Sequence, residues 1–246
     1  MSRNKSDEEL QQHKAEAIAA LDQYLTSMIS SADIVDHGRA DKLCYWLRDY
    51  AKFLDYEKHF NPEKLHRYKR GDILKVHLGY NIGSEEGGLH YAVVLDRTNS
   101  IKCSTVTVIP LTSVKPTTDI QKLRPGNVYL GNELFANLNS NASLLYQQLK
   151  SVLDDLHGKI AHSQDGNLQR ELDLINSELE RLKRMRTEIQ KMKKGSIALT
   201  RQITTISKIR IYDPKTSHDV LSGVRLSNEK LDAIDNAVSE YFIGKH

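Results

Sequence analysis

Between Tyr68 and Ile211 the spacing of apolar residues changes twice, and a fold of one structural class cannot satisfy both patterns. The runs Ile73-Leu74-Lys75-Val76-His77-Leu78, Tyr91 to Leu95 and Val106-Thr107-Val108-Ile109 are short and β-branched or aromatic, with Gly, Asn and Ser around them. Such runs predict strands of a small antiparallel barrel. Asn127-Val128-Tyr129-Leu130, after Pro125-Gly126, predicts a further strand, and the Ile- and Thr-rich stretch Ser196 to Ile211 returns to sheet. What lies between is helical. Leu145, Leu149, Val152, Leu156 and Ile160 form one stripe, and Leu168, Leu172, Ile175, Leu179, Leu182 and Ile189 repeat by four and three. With a turn at His162 to Asn167, the two stripes predict an antiparallel coiled-coil hairpin over 141–194, projecting roughly 35 Å at about 1.5 Å per residue. Arg186 falls on a core heptad position, where an unpaired charge is costly. The seam is therefore expected to leave apolar surface for a partner, and the barrel to stay folded if a short linker replaces the insert.

Ahead of the barrel, Ser6 with Glu9 three residues on is a capping-box signature, and Leu10, Ile18, Leu21, Leu25 and Met28 follow near helical spacing. A break is expected from Ser30 to Gly38. Leu43, Trp46, Leu47, Tyr50, Phe53 and Leu54 then predict a second helix, stopped at Asn61-Pro62. Ser227 opens a last helix with Leu231, Ile234 and Val238 on one face. The expected organisation is a helical N-terminal extension at 1–62, a barrel domain from 66–135 together with 195–246, and the inserted hairpin.

Composition excludes several function classes. The first residues are polar and acidic where a signal peptide needs an apolar core, and no apolar run approaches a bilayer span, so a cytoplasmic protein is expected. Cys44 and Cys103 stand alone and far apart, which indicates neither a disulfide framework nor a zinc site. A formal charge of +3 does not by itself imply a polyanion partner. Its placement is more informative, because Arg181, Lys183, Arg184, Arg186, Lys191, Lys193 and Lys194 crowd one segment with Glu188 opposing them. By default that is a solvated helix face; read functionally, Arg184, Arg186 and Lys191 guide a phosphate backbone.

The densest cluster of chemistry-bearing residues is Asn81-Ile82-Gly83-Ser84-Glu85-Glu86-Gly87-Gly88-Leu89-His90, between two predicted strands. Taken with Gly71-Asp72-Ile73 before it, Val93-Val94 and Pro110-Leu111-Thr112-Ser113 after it, and Gln202-Ile203-Thr204-Thr205 late in the chain, it resembles the MazF/PemK toxins, small SH3-like barrels of type II toxin–antitoxin systems. The resemblance covers roughly 68–135 and 195–243. It implies an α+β protein, here with N-terminal helices, the coiled-coil insert and a C-terminal helix added to the MazF/PemK/CcdB-like barrel. It further implies a cytoplasmic homodimer, with no cofactor, that cleaves single-stranded RNA without a metal and is blocked by a cognate antitoxin.

In that family, cleavage resembles attack of a ribose 2′-hydroxyl on the adjacent phosphate, which needs proton transfer and stabilisation of the phosphorane charge. The resemblance carries the catalytic threonine onto Thr112 and the catalytic arginine onto His90, so histidine stands where the family has arginine, and the proline after it is Tyr91. Arginine supplies mainly charge, whereas an imidazole can also move a proton near neutrality. The candidate catalytic residues are therefore His90, Thr112 and Ser84, with the backbone amides of Gly87 and Gly88 as anion contacts. Tyr80 and Tyr91 are candidates for stacking unpaired bases, although such tyrosines are more often core residues with a wet hydroxyl. Gln202 completes the nucleic-acid set. The alternative is a barrel that binds nucleic acid or protein, its catalysis lost with the arginine.

Overall fold

The computed structural model describes residues 5–160, 168–193 and 195–244. The chain divides into two compact units, 1–55 and 56–246. In the first, α1 (Asp7–Ile29) begins with the capping box expected from sequence: the Ser6 amide donates to Glu9 Oε2 at 2.7 Å and the Glu9 amide to Ser6 Oγ at 3.2 Å. The expected break is shorter than predicted. Asp33 Oδ1 accepts from the Val35 amide at 2.8 Å, α2 (Ile34–Glu57) starts there, and Gly38 lies inside the helix. A local cap outweighs the modest cost of one helical glycine. Trp46 stacks on Tyr50 with ring centroids 5.4 Å apart. No helix among the described residues is long and apolar enough to cross a membrane.

The second unit is built on an antiparallel sheet. Strands β1 (Ile73–His77), β2 (Leu89–Val94), β3 (Thr105–Ser113), β4 (Asn127–Gly131), β5 (Ser196–Leu199), β6 (Thr204–Ser207) and β7 (Ile211–Asp213) form it in the order β4-β5-β3-β2-β1-β7, with β6 also on β3. The nine-residue β3 serves three partners: Thr105–Val108 pair with β6, Val108–Pro110 with β2, and Leu111–Ser113 with β5. A strand that changes partners along its length turns a corner between sheet portions, the device that builds barrel-like β structures.

Both faces of the sheet are buried, and the period of two sorts the side chains between them. Leu74, Val76, Leu78, Ala92, Val94, Val106 and Val108 form one core with Tyr68, Ile206 and Ile211. Ile73, Val93, Ile109 and Leu111 belong to the other, which runs on into α3 (Glu133–Ile160), α4 (Leu168–Lys191) and α5 (Asn228–Val238) through Leu138, Leu145, Leu149, Leu182, Met185 and Ile234. The helices α3 and α4 pack along each other, and the turn predicted at His162 to Asn167 lies outside the described residues.

Two expectations for the insert change here. Its first helix starts at Glu133 rather than near 141, and its apolar stripe is part of the barrel's outer core. Furthermore, Met185, 1% exposed, takes the seam position assigned to Arg186, which lies exposed with its guanidinium 5.6 Å from the Tyr146 ring centroid. From Leu182 the buried face continues by a step of three rather than four, and the flexible thioether of Met185 fills it without leaving a charge inside the seam.

Candidate active site

The glycine loop between β1 and β2 is fastened on all sides. The Leu78 amide donates to Gly88 O at 2.7 Å, the Gly88 amide to Gly79 O at 2.6 Å, and Asn81 Nδ2 to Glu86 O at 2.6 Å. A Cβ on Gly87 would lie 2.8 Å from Gly79 O, so the close backbone approach there requires glycine. Gln202 closes the loop from the far end of the chain: its Oε1 accepts from the Glu86 amide at 2.6 Å and its Nε2 donates to Ser84 O at 3.2 Å. Both ends of that carboxamide are spent on backbone, which gives Gln202 an anchoring use. The Gly88 amide is likewise engaged within the loop, which corrects its expected role as an anion contact. Gln202→Ala should raise amide exchange across 83–88 and slow any turnover at the site by about tenfold, because a displaced contact there acts through geometry. Unchanged exchange in the variant would refute the anchoring role.

His90 lies at the start of β2, half-buried. Its Nδ1 is 3.4 Å from Leu111 O and its Nε2 is 3.6 Å from Glu86 Oε2. Both neighbours are acceptors, so an imidazolium faces one with each N–H, whereas a neutral ring has only one N–H to offer. Thr112 shares a cleft of about 200 Å³ with His90, lined also by Lys75, Tyr91, Ser113, Met192 and Lys193. The cleft opens where β3 leaves β2 after Pro110 to pair with β5, so the same backbone corner that shapes the sheet separates the two strands carrying His90 and Thr112.

Ser84 and Glu86 line a larger groove of about 770 Å³, together with Asn127, Arg124, Arg201 and Arg210. The Glu86–His90 contact joins groove to cleft. Arg210 Nε donates to His77 O at 2.8 Å, and the Arg201 guanidinium lies 5.1 Å from the Tyr241 ring centroid. Sequence reading missed these three arginines because they are scattered along the chain, and it missed Glu86 because only a folded loop sets that carboxylate beside His90.

The hairpin cations are placed elsewhere. Arg184, Arg186 and Lys191 are exposed on α4 and line neither the groove nor the cleft. Within the basic run, Lys183 pairs with Glu180 at 2.6 Å and Arg181 with Glu178 at 3.4 Å, so the stretch is more nearly neutral than it reads. Tyr80 is half-buried at the loop's start. Tyr91 has another use than stacking bases: its hydroxyl donates to Glu188 Oε1 on α4, and the Lys75 ammonium lies 5.5 Å from its ring centroid. Burial first, then the hydrogen bond and charge of Glu188, push the Tyr91 phenol well above its ordinary range. Burial alone would raise the Glu188 carboxyl, but hydrogen bonds from Lys75 and Tyr91 and the nearby Lys75 and Lys191 charges together hold it below its ordinary value.

Residues 69–175 match the model of the PemK-like, MazF-like toxins of type II toxin–antitoxin systems. That stretch, which is under half of the chain, is similar to the PemK/MazF-like family. The match begins two residues before Gly71-Asp72-Ile73, takes in the glycine loop, His90 and Thr112, and continues through α3 into α4. Gln202 and Glu188 lie beyond it, so the PemK/MazF-like core carries the cleft while later segments fasten its loop and its edge. No curated protein matches the chain.

Proposed function

We propose that this PemK/MazF-like protein is a metal-independent endoribonuclease that cuts single-stranded RNA by transphosphorylation. The observation that carries the reading is the Glu86–His90 contact beside the cleft that His90 shares with Thr112. The strand lies along the groove, where Arg124 and Arg201 neutralise phosphates. In the reaction the O2′–P bond forms and the P–O5′ bond breaks. Glu86 accepts the 2′-hydroxyl proton, and His90, entering as the imidazolium, gives its Nε2 proton to the leaving 5′-oxygen. The positive charge on His90 also does part of what arginine does in the family, and the hydroxyls of Thr112 and Ser84 orient the phosphate. Return of the proton from Glu86 to His90 across their contact resets the pair. The active species is a homodimer held in check by an antitoxin protein.

The test is incubation of purified protein with a long single-stranded RNA in the presence of a chelator. Cleavage is expected, with cyclic phosphate and 5′-hydroxyl ends. Folded protein that leaves a broad panel of RNAs intact would replace this reading with that of a binding module. Products bearing 5′-phosphates would exclude the 2′-hydroxyl mechanism.

A further inference from the structure

On the outer face of the sheet the neighbours of Lys75 are apolar, with Ile73, Val93, Ile109 and Leu111 all in the core that extends under the helices. A lysine on such a surface must bring its ammonium to a partner or to water. Lys75 Nζ donates to Glu188 Oε1, with the Tyr91 and Tyr212 rings 5.5 and 5.9 Å from the ammonium. The side chains are only 19% and 15% exposed, so both charges have lost much of their hydration. A pair of this kind contributes little net stability, because desolvation cancels most of its attraction. Nor is the pair electrically isolated. Lys191 acts on Glu188, Lys193 lines the cleft, and Asp213 sits across the β1–β7 register from Lys75.

Lys75 also lines the cleft that holds His90 and Thr112, whereas Glu188 enters from the inserted helix, beyond the residues that match the family. We propose that Lys75 is a phosphate-contacting residue of this cleft and that Glu188 is its internal counter-ion, displaced when an RNA phosphodiester enters. The inserted helix thereby sets how strongly the cleft takes a polyanion. With histidine standing where the family has arginine, Lys75 supplies a further cation to the cleft. This assignment rests on the cleft being the RNA site proposed above.

The experiment measures binding of a mixed-sequence 2′-O-methyl RNA oligonucleotide, which lacks the attacking hydroxyl, across a range of salt concentrations. Glu188→Gln keeps a hydrogen-bonding group of the same length and removes only the charge. It should tighten binding about fivefold, and it should steepen the salt dependence by about 0.7 in the log–log slope, one additional phosphate on a single strand. Lys75→Met should weaken binding, and in the Lys75→Met/Glu188→Gln double variant the gain from Glu188→Gln should vanish. If Glu188 is only a strut between α4 and the sheet, Glu188→Gln lowers the melting temperature and leaves binding unchanged or weaker, which overturns the proposal. A gain that persists without Lys75 also overturns it, since the effect is then general field rather than a specific counter-ion. Cleavage of unmodified RNA is scored separately: wild type that binds with this coupling but does not cut refutes the ribonuclease reading alone. Cleavage whose KM ignores both residues refutes the counter-ion alone.

Discussion

His90→Ala should lose about 10²- to 10⁴-fold in RNA cleavage, the usual contribution of a positioned proton donor, while melting close to the wild type. The imidazole is half-buried and its two contacts, at 3.4 and 3.6 Å, are too long to contribute much to stability. Because both neighbours are acceptors, the form that fits the site and delivers a proton is the imidazolium. His90→Arg should recover part of the lost rate by restoring charge. Glu86→Gln should slow the reaction and leave the loop in place, since the Gln202 anchor holds the Glu86 backbone rather than its carboxylate. An alanine variant that retains wild-type activity would remove His90 from the mechanism.

Excision of 141–194 should unfold the barrel rather than trim it. The outer core containing Ile73, Val93, Ile109 and Leu111 includes Leu145, Leu149, Leu182 and Met185 from the two inserted helices. Each large apolar side chain fully buried contributes about 1.5–3 kcal/mol, so losing several removes an amount comparable with the roughly 5–15 kcal/mol that holds a domain folded. Excision also leaves the Lys75 ammonium and Tyr91 hydroxyl without Glu188. The deletion variant should be insoluble or melt without a cooperative transition. Met185→Ala, a smaller perturbation of the same core, should cost about 2–5 kcal/mol by denaturant unfolding. A deletion variant that melts cooperatively near the wild-type temperature would show that the barrel closes its own core and would restore the insert as an independent module.

What could be read along the chain was what is local. The capping box of Ser6 and Glu9, the two-residue alternation from Ile73 onward and the opening of the last helix at Ser227 each depend on neighbours a few residues away, and each is found. The glycine loop, His90 and Thr112 were legible through resemblance and share one region of the fold. The contacts that give the site its particular character join residues far apart. Gln202 to Glu86 spans 116 positions, Glu188 to Lys75 spans 113 and Glu188 to Tyr91 spans 97. No periodicity relates such partners: Lys75 and Glu188 read as ordinary surface side chains until the chain returns, and Gln202 and Tyr91 read as nucleic-acid contacts rather than as the anchors they are. The seam error has a different cause: heptad counting put Arg186 where the helix turns Met185 inward.

The partner changes along β3 also govern when the site comes into being. During synthesis, β3 can pair with β2 as soon as both have emerged, but β5, which holds Leu111 to Ser113, and β6, which pairs with Thr105 to Val108, follow only after the long insert. Gln202, which fastens the glycine loop, comes later than β5. A nascent chain therefore carries His90 and Thr112 through synthesis of the whole insert without the strand and the side chain that set them in place, since long-range pairings are the last to close. A ribosome that stalls or is cut off within the insert releases an unassembled cleft. An RNA-cutting protein assembled in this order would thus be harmless to the message encoding it until the codons beyond the insert have been read.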